Sequence, residues 1–419
     1  MKTSMKIPRT APADHRIFFF DNLRYFLVLL VVLFHSIASY NNLSDWWTVN
    51  DDNFLFFDSV LILLDVFMMP GLFFIAGYFA LQSHQGQTTR GFIKKKFNRL
   101  GIPWLIGVIL VNPVQIYIWN LSCGQSNPGL WHYFVFKIKS ALSFYTGLVN
   151  LSVQYDQFIQ LHYWFINLLF CFFVIFAITK KIKDTLLSKP SVLTTSEPAS
   201  RLSIFLILFF SGVLIFVFNI LIYGLFPIIT IPNTWVVIGN LIQFQASRIL
   251  LYSVCFFLGI YAYHKNWFLA GRVPGHLILW VLTSAILGYF LHETTFSLLK
   301  EASKTKAILY TLLHPMFFFS ILLTLISLGV RYWNSASKFN RLMAENSYTI
   351  YLVHLVFVFI FQLILKDLTA IPVYMKAVIV FILSTGISLL ISHFAINKSP
   401  RLSAAGIIVI FILGLIVLK

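Results

Sequence analysis

Residues 18–40 read FFFDNLRYFLVLLVVLFHSIASY, and this stretch decides the fold. It is long enough to cross a bilayer, for which roughly 20 mostly apolar residues suffice. It also carries Asp21, Arg24 and His35. A charge near mid-bilayer costs at least about 2.5–3.5 kcal/mol on insertion scales, so these residues need a reason to be there. Arg24 and His35 are eleven residues apart, close to three helical turns, so both point the same way, roughly 16 Å apart along the axis. A cation and an imidazole on one face of one span suggest a site that reaches through the membrane.

The whole chain agrees with that reading. Of its 419 residues 59% are hydrophobic and only 11% charged, and the mean hydropathy is +0.84. A soluble domain carries about 25% charged residues, so this is a polytopic membrane protein. The formal net charge is +17. The basic residues sit between apolar spans, which points to topology and anionic lipid rather than nucleic acid. Cys123, Cys171 and Cys255 form no CxxC pair, so neither a disulfide framework nor a thiolate metal site is expected. Ser36-Ile37-Ala38 resembles a signal cleavage site, but Arg24 interrupts the apolar core and the span outruns signal length, so the span is expected to stay.

In order, the expected elements are a basic segment at 1–17, then spans at about Phe18–Tyr40, Phe54–Leu81, Gly101–Trp119, Leu161–Thr179, Ile204–Phe226, Ser247–Tyr263, His276–Leu291, Ala307–Gly329, Glu345–Leu365 and Val373–Phe394. The run 402–418 is short for a span, so the expectation is an all-α bundle of 10–11 transmembrane helices forming a single domain over 1–419. Lysine and arginine number 21 in the N-terminal segment and even-numbered loops and 7 in the odd-numbered loops. That bias predicts a cytoplasmic N-terminus. No polar stretch is large enough for a soluble catalytic domain, so any chemistry belongs inside the bundle. The loop at 120–160 falls outside. Within it Trp131, Phe134, Val135, Ile138, Leu142, Tyr145 and Leu148 recur at helical spacing, which fits a helix in the outer interface, either a lipid-facing brace or a lid.

With this orientation Arg24 lies toward the cytoplasm and His35 in the outer half. His162 opens a span at the outer face, and His354 and Asp65 lie near mid-depth. His35 fits an interhelical hydrogen bond or a general base, whose ordinary pKa near 6.5 suits neutral pH. A metal is not expected, since no HxxxH or HExxH pattern is present. Arg24 either pairs with Asp21, three residues earlier, or holds an anionic ligand group. Asp65 is a salt-bridge partner or an orienting carboxylate. The cluster Lys94, Lys95, Lys96 and Arg99, expected in a loop, is a topology signal or a phosphate-binding rim. These residues suit either a transporter or an enzyme that moves a group across the membrane.

Several segments together resemble the acyltransferase 3 family of membrane-bound acyltransferases. They are FDNLRYFLVLLVVLFH, with its Arg and His; LFFIAGYFA, with Ala76 where the family has Ser; FIKKKFNRLGIPWL, with Lys96, Arg99 and Pro103; LHYWFINLLF, with His162, Trp164 and Phe165; FFLGIYAY; and NSYTIYLVH, which ends on Tyr351 and His354. They occur in the family's order from about residue 18 to residue 354. The GIP after Arg99 is similar to the glucan biosynthesis protein C-like branch, linked to succinylation of periplasmic glucans.

The resemblance implies an O-acyltransferase of the bacterial inner membrane, acting in polysaccharide modification. Acyl-CoA, acetyl-CoA or succinyl-CoA, would be co-substrate on the cytoplasmic side, with no bound cofactor, and a carbohydrate hydroxyl would be acceptor outside. His35, Arg24 and Asp65 would carry catalysis, Lys94, Lys96 and Arg99 donor binding, and His162, Trp164, Tyr351 and His354 the acceptor side. The alternative is an exporter of a glycan or organic anion.

Overall fold

Helix α1, Phe18–Ile37, occupies the middle of the molecule rather than its edge. The structure is a computed structural model that describes residues 18–43, 47–124, 129–142, 149–150, 160–186, 200–225, 235–238, 242–268, 273, 275–301 and 303–417. The N-terminal segment 1–17, and Tyr145 and Leu148 of the expected interfacial helix, lie outside the described residues. Helices α2 (Leu55–Tyr78), α3 (Thr89–Ser122), α4 (Leu130–Leu142), α5 (Trp164–Leu186) and α6 (Arg201–Leu225) follow, then α7 (Ile249–His264), α8 (Leu277–Lys300), α9 (Lys304–Tyr332), α10 (Lys338–Leu365), α11 (Val373–Ile391) and α12 (Pro400–Val417). Among the described residues nine helices are long and apolar enough to cross a membrane, and the stretches 249–264 and 400–414 are shorter apolar helices. The fold is therefore an all-α polytopic membrane bundle.

Backbone hydrogen bonds in lipid must be met within a segment, which is why apolar runs of this length fold as helices. How they pack is then a matter of shape. Helices α2 and α7 pack closely against each other. A Cβ added at Gly77 would fall on the Phe256 carbonyl, and one added at Gly259 would fall on the Phe74 carbonyl. The two backbones thus touch where each helix has a glycine, the small-residue packing that membrane helices use. Two of the segments quoted above, LFFIAGYFA and FFLGIYAY, meet each other here.

Around α1 pack α2, α9, α10 and α11. Helices α1 and α10 run parallel: near their starts Tyr25 donates to Asn340 Oδ1 (2.8 Å) and Arg24 Nη2 to the Ala344 carbonyl (3.1 Å), and further along both His35 meets His354 (2.9 Å).

Helix α3 differs from expectation. The cluster Lys94–Arg99 was expected in a loop before a span at Gly101, but it forms the first turns of one continuous helix from Thr89. Thr88 caps it, accepting from the Gly91 N–H (3.1 Å), and the next helix-breaking residue is Pro103. Widened π turns at Phe97–Gly101 and Gly107–Val111 precede helical segments whose second residues are Pro103 and Pro113. A proline cannot donate to the carbonyl four residues back, here that of Arg99. The Tyr348 hydroxyl donates to that carbonyl instead (2.6 Å).

Strands were not expected, yet β1 (Val149–Asn150), β2 (Trp235–Ile238) and β3 (Ile242–Gln245) form a small antiparallel sheet, with Val236 opposite Phe244. It is tied to the start of α5 by the Gln160 N–H donating to Gln243 Oε1 (2.9 Å). Helix α4 is present where the apolar spacing predicts one, and Phe134 packs on Phe411 of α12 (5.1 Å between rings).

Candidate active site

The helix turn that follows from 3.6-residue spacing brings Arg24 and His35 to the same side of α1, and α10 receives both. Arg24 keeps its pair with Asp21 (Nη2 to Oδ1, 3.1 Å). The same guanidinium also donates to the Ala344 carbonyl (3.1 Å) and through Nε to Ser347 Oγ (3.4 Å). The pair with Asp21 is thus present, and the same guanidinium is drawn toward a second helix.

His35, half-buried, lies with Nδ1 2.9 Å from Nε2 of His354. His354 is fully buried, and its Nδ1 lies 2.8 Å from the Tyr351 carbonyl and 3.2 Å from that of Ile350. On another side of His35 stands the Trp47 indole, stacked at 5.3 Å and 15°. Trp47 Nε1 donates to Gln362 Oε1 (3.0 Å), and Gln362 Nε2 donates to the His35 carbonyl (2.9 Å). The loop bearing Trp47 is anchored by two acids. Asp58 accepts from the Asn42 N–H (2.8 Å) and Nδ2 (2.9 Å), and Asp51 pairs with the buried Lys376 (2.7 Å).

His162 joins this group. Leu161 has φ of 48°, a left-handed conformation uncommon for a non-glycine residue, directly before it. His162 then stands edge-on to His354 (5.2 Å between rings, 71°), its Nε2 3.3 Å from the Leu352 carbonyl. The Tyr351 hydroxyl donates to the His162 carbonyl. So His35, His162, Tyr351 and His354 form one cluster.

The remaining candidates lie elsewhere. Trp164 packs on Tyr252 (5.4 Å) and Trp235 (5.5 Å), joining α5 to α7 and the sheet. Asp65 pairs with Arg248, whose guanidinium donates to both its carboxylate and its backbone carbonyl. Its salt bridge runs to α7, not to a histidine. Lys94 and Arg99 are exposed, with the Arg99 guanidinium 5.9 Å from the Tyr348 ring centre. Lys96 instead lays its ammonium over Phe173 (3.8 Å) and Phe92 (5.2 Å), a cation–π contact against α5. Arg24 and Arg99 therefore reach adjacent residues of α10, Ser347 and Tyr348. Among the described residues no set of three or more His, Cys, Asp or Glu side chains is arranged to hold a metal.

The profile of a protein family described as an acyltransferase domain matches residues 17–393. The chain belongs to the acyltransferase 3 family. Neither the curated proteins nor the solved structures include a match. As a member of the acyltransferase 3 family with this bundle, the protein is a membrane acyltransferase. The matched stretch contains all the candidate residues named above.

Three residues were not singled out from sequence: Arg248, the partner of Asp65, and Trp47 and Gln362, which shape the cluster. Arg248 had a signal: an acid at Asp65 within a span calls for a basic partner in another. Trp47 and Gln362 had none, because an aromatic in a polar loop and an amide in an apolar helix look alike whether or not they touch a histidine.

Proposed function

We propose that the protein is an O-acyltransferase of the bacterial inner membrane, with its N-terminus in the cytoplasm. It takes an acyl group, acetyl or succinyl, from cytoplasmic acyl-CoA and places it on a carbohydrate hydroxyl at the outer face, with His35 as general base. The observation that carries this reading is the shared use of α10. Arg24 bonds Ser347, Arg99 lies near the ring of Tyr348, the next residue, and His35 meets His354, seven residues beyond Ser347. At 1.5 Å per residue that is about 10 Å. An anionic group held by the two arginines leaves room for a long thioester arm to carry its carbonyl toward His35. The bias of Lys and Arg among the loops supports a cytoplasmic arginine end.

In the reaction the acceptor oxygen attacks the thioester carbonyl. A C–O bond forms, the C–S bond breaks, and the hydroxyl proton passes to His35 and then to the leaving thiolate. The glucan biosynthesis protein C-like segment GIP favours succinyl and a glucan. Mass spectrometry of envelope glycans from cells with and without the protein tests this. Loss of an acetyl or succinyl group on removal is expected. Unchanged glycan acylation, with altered export alone, would favour the transporter reading instead.

A further inference from the structure

The hydrogen-bond directions around His354 have a chemical consequence for His35. A carbonyl oxygen only accepts. His354 Nδ1 faces the Tyr351 carbonyl at 2.8 Å and the Ile350 carbonyl at 3.2 Å, so Nδ1 carries a proton. A neutral imidazole has one N–H, which leaves Nε2 of His354 as a lone pair. His35 Nδ1 lies 2.9 Å from that lone pair, so His35 must donate from Nδ1, and its own lone pair is on Nε2. We propose that His354 is a positioning residue that acts through His35: it fixes the tautomer in which Nε2 is the basic nitrogen and turns that nitrogen toward the acyl transfer.

A further contact holds the ring in this state. The Trp47 indole, nearly parallel at 5.3 Å, limits tilting. A half-turn of the imidazole would put a carbon where Nδ1 now sits and forfeit the bond to His354. The arrangement follows the logic of a base oriented by a third group, with a neutral imidazole in place of a carboxylate. During transfer the acceptor proton arrives on His35 Nε2 and leaves to the thiolate, while the Nδ1 protons of both rings stay in place. The developing imidazolium would be stabilised on one side by the His354 lone pair and on another by the indole face.

This inference rests on the general-base reading, and the experiment separates the two. Magnetic resonance of the full chain in lipid nanodiscs, with isotope-labelled histidine and His35→Gln for assignment, reads the tautomer directly and needs no acceptor. The wild type should show His35 protonated at Nδ1 alone. In His354→Gln the amide oxygen can accept in place of Nε2, so the Nδ1 tautomer persists and glycan acylation in cells stays within about tenfold of wild type. In His354→Leu the preference for Nδ1 is lost and acylation falls on the order of 10⁴-fold, the scale seen when an orienting partner is lost. A wild-type His35 protonated at Nε2 or at both nitrogens overturns the inference, as does a His354→Leu variant with normal acylation. Acylation retained in His35→Gln would instead remove the general-base reading itself.

Discussion

Arg24 and His35 of α1 are both received by α10, the guanidinium at Ala344 and Ser347 and the imidazole at His354. Because the two helices run parallel, one helix–helix contact fixes both the lateral placement and the spacing of the two polar groups. Each residue costs several kcal/mol in a membrane helix taken alone. Together with a partner helix that meets them with a hydroxyl, carbonyls and an imidazole, they become a polar seam in an otherwise apolar core.

The arginine end of that seam makes a prediction about the donor. Arg24→Lys keeps the charge but loses the planar fork that reaches Ala344 and Ser347 together. Arg24→Lys and Arg99→Ala should each weaken acetyl-CoA binding by about 10- to 100-fold, the worth of a hydrogen bond to a charged group. Binding to the purified protein, measured calorimetrically, checks this. Unchanged affinity in both variants would move the donor site away from this end of α10.

The glycine contact between α2 and α7 predicts a loss of stability without chemistry. Gly77→Ala and Gly259→Ala put a methyl group on a backbone carbonyl, which cannot rotate away. Overpacking of this kind costs about 1–3 kcal/mol, so both variants should melt at lower temperature in detergent. Gly386→Ala, in a helix interior where an added Cβ meets nothing within 4 Å, is the control and should melt at or slightly above wild type.

The Asp65–Arg248 pair predicts an asymmetric outcome. Arg248 is only 6% exposed whereas Asp65 is 38% exposed. Asp65→Asn leaves a buried cation without its counter-ion and should destabilise by about 3 kcal/mol. Replacing both, as Asp65→Leu with Arg248→Met, should recover much of that loss. Denaturation of the wild type and the two variants in detergent checks the order. If Asp65→Asn melts as wild type but loses acyl transfer, the carboxylate serves the reaction directly.

The spans, the central place of the Arg24–His35 face and the helix near Trp131 were legible in the sequence, because hydropathy and 3.6-residue periodicity are local properties. The cluster at Lys94–Arg99 was misplaced into a loop because charge density suggests solvent. The helix continues through it, since Thr88 caps it and π turns absorb the prolines. The sheet at Val149, Trp235 and Ile242 was invisible because its strands are short and β1 pairs with a strand far along the chain. Convergence of His35, His162 and His354 required contacts between residues 319 and 190 positions apart, which no local pattern encodes.

The loop charges predict orientation. A reporter fused after Asp52 should read as external and one fused after Ser188 as cytoplasmic. The reverse result would put the two arginines on the side away from cytoplasmic acyl-CoA and undo the donor assignment.

The central claim is that His35 is the base in acyl transfer. Its most direct test is glycan acylation in cells whose only copy of the protein is His35→Ala, with membrane insertion, melting temperature and acetyl-CoA binding measured on the same variant. The account predicts that acylation disappears while those three measurements match wild type. Acylation retained by a folded, donor-binding His35→Ala protein would contradict it.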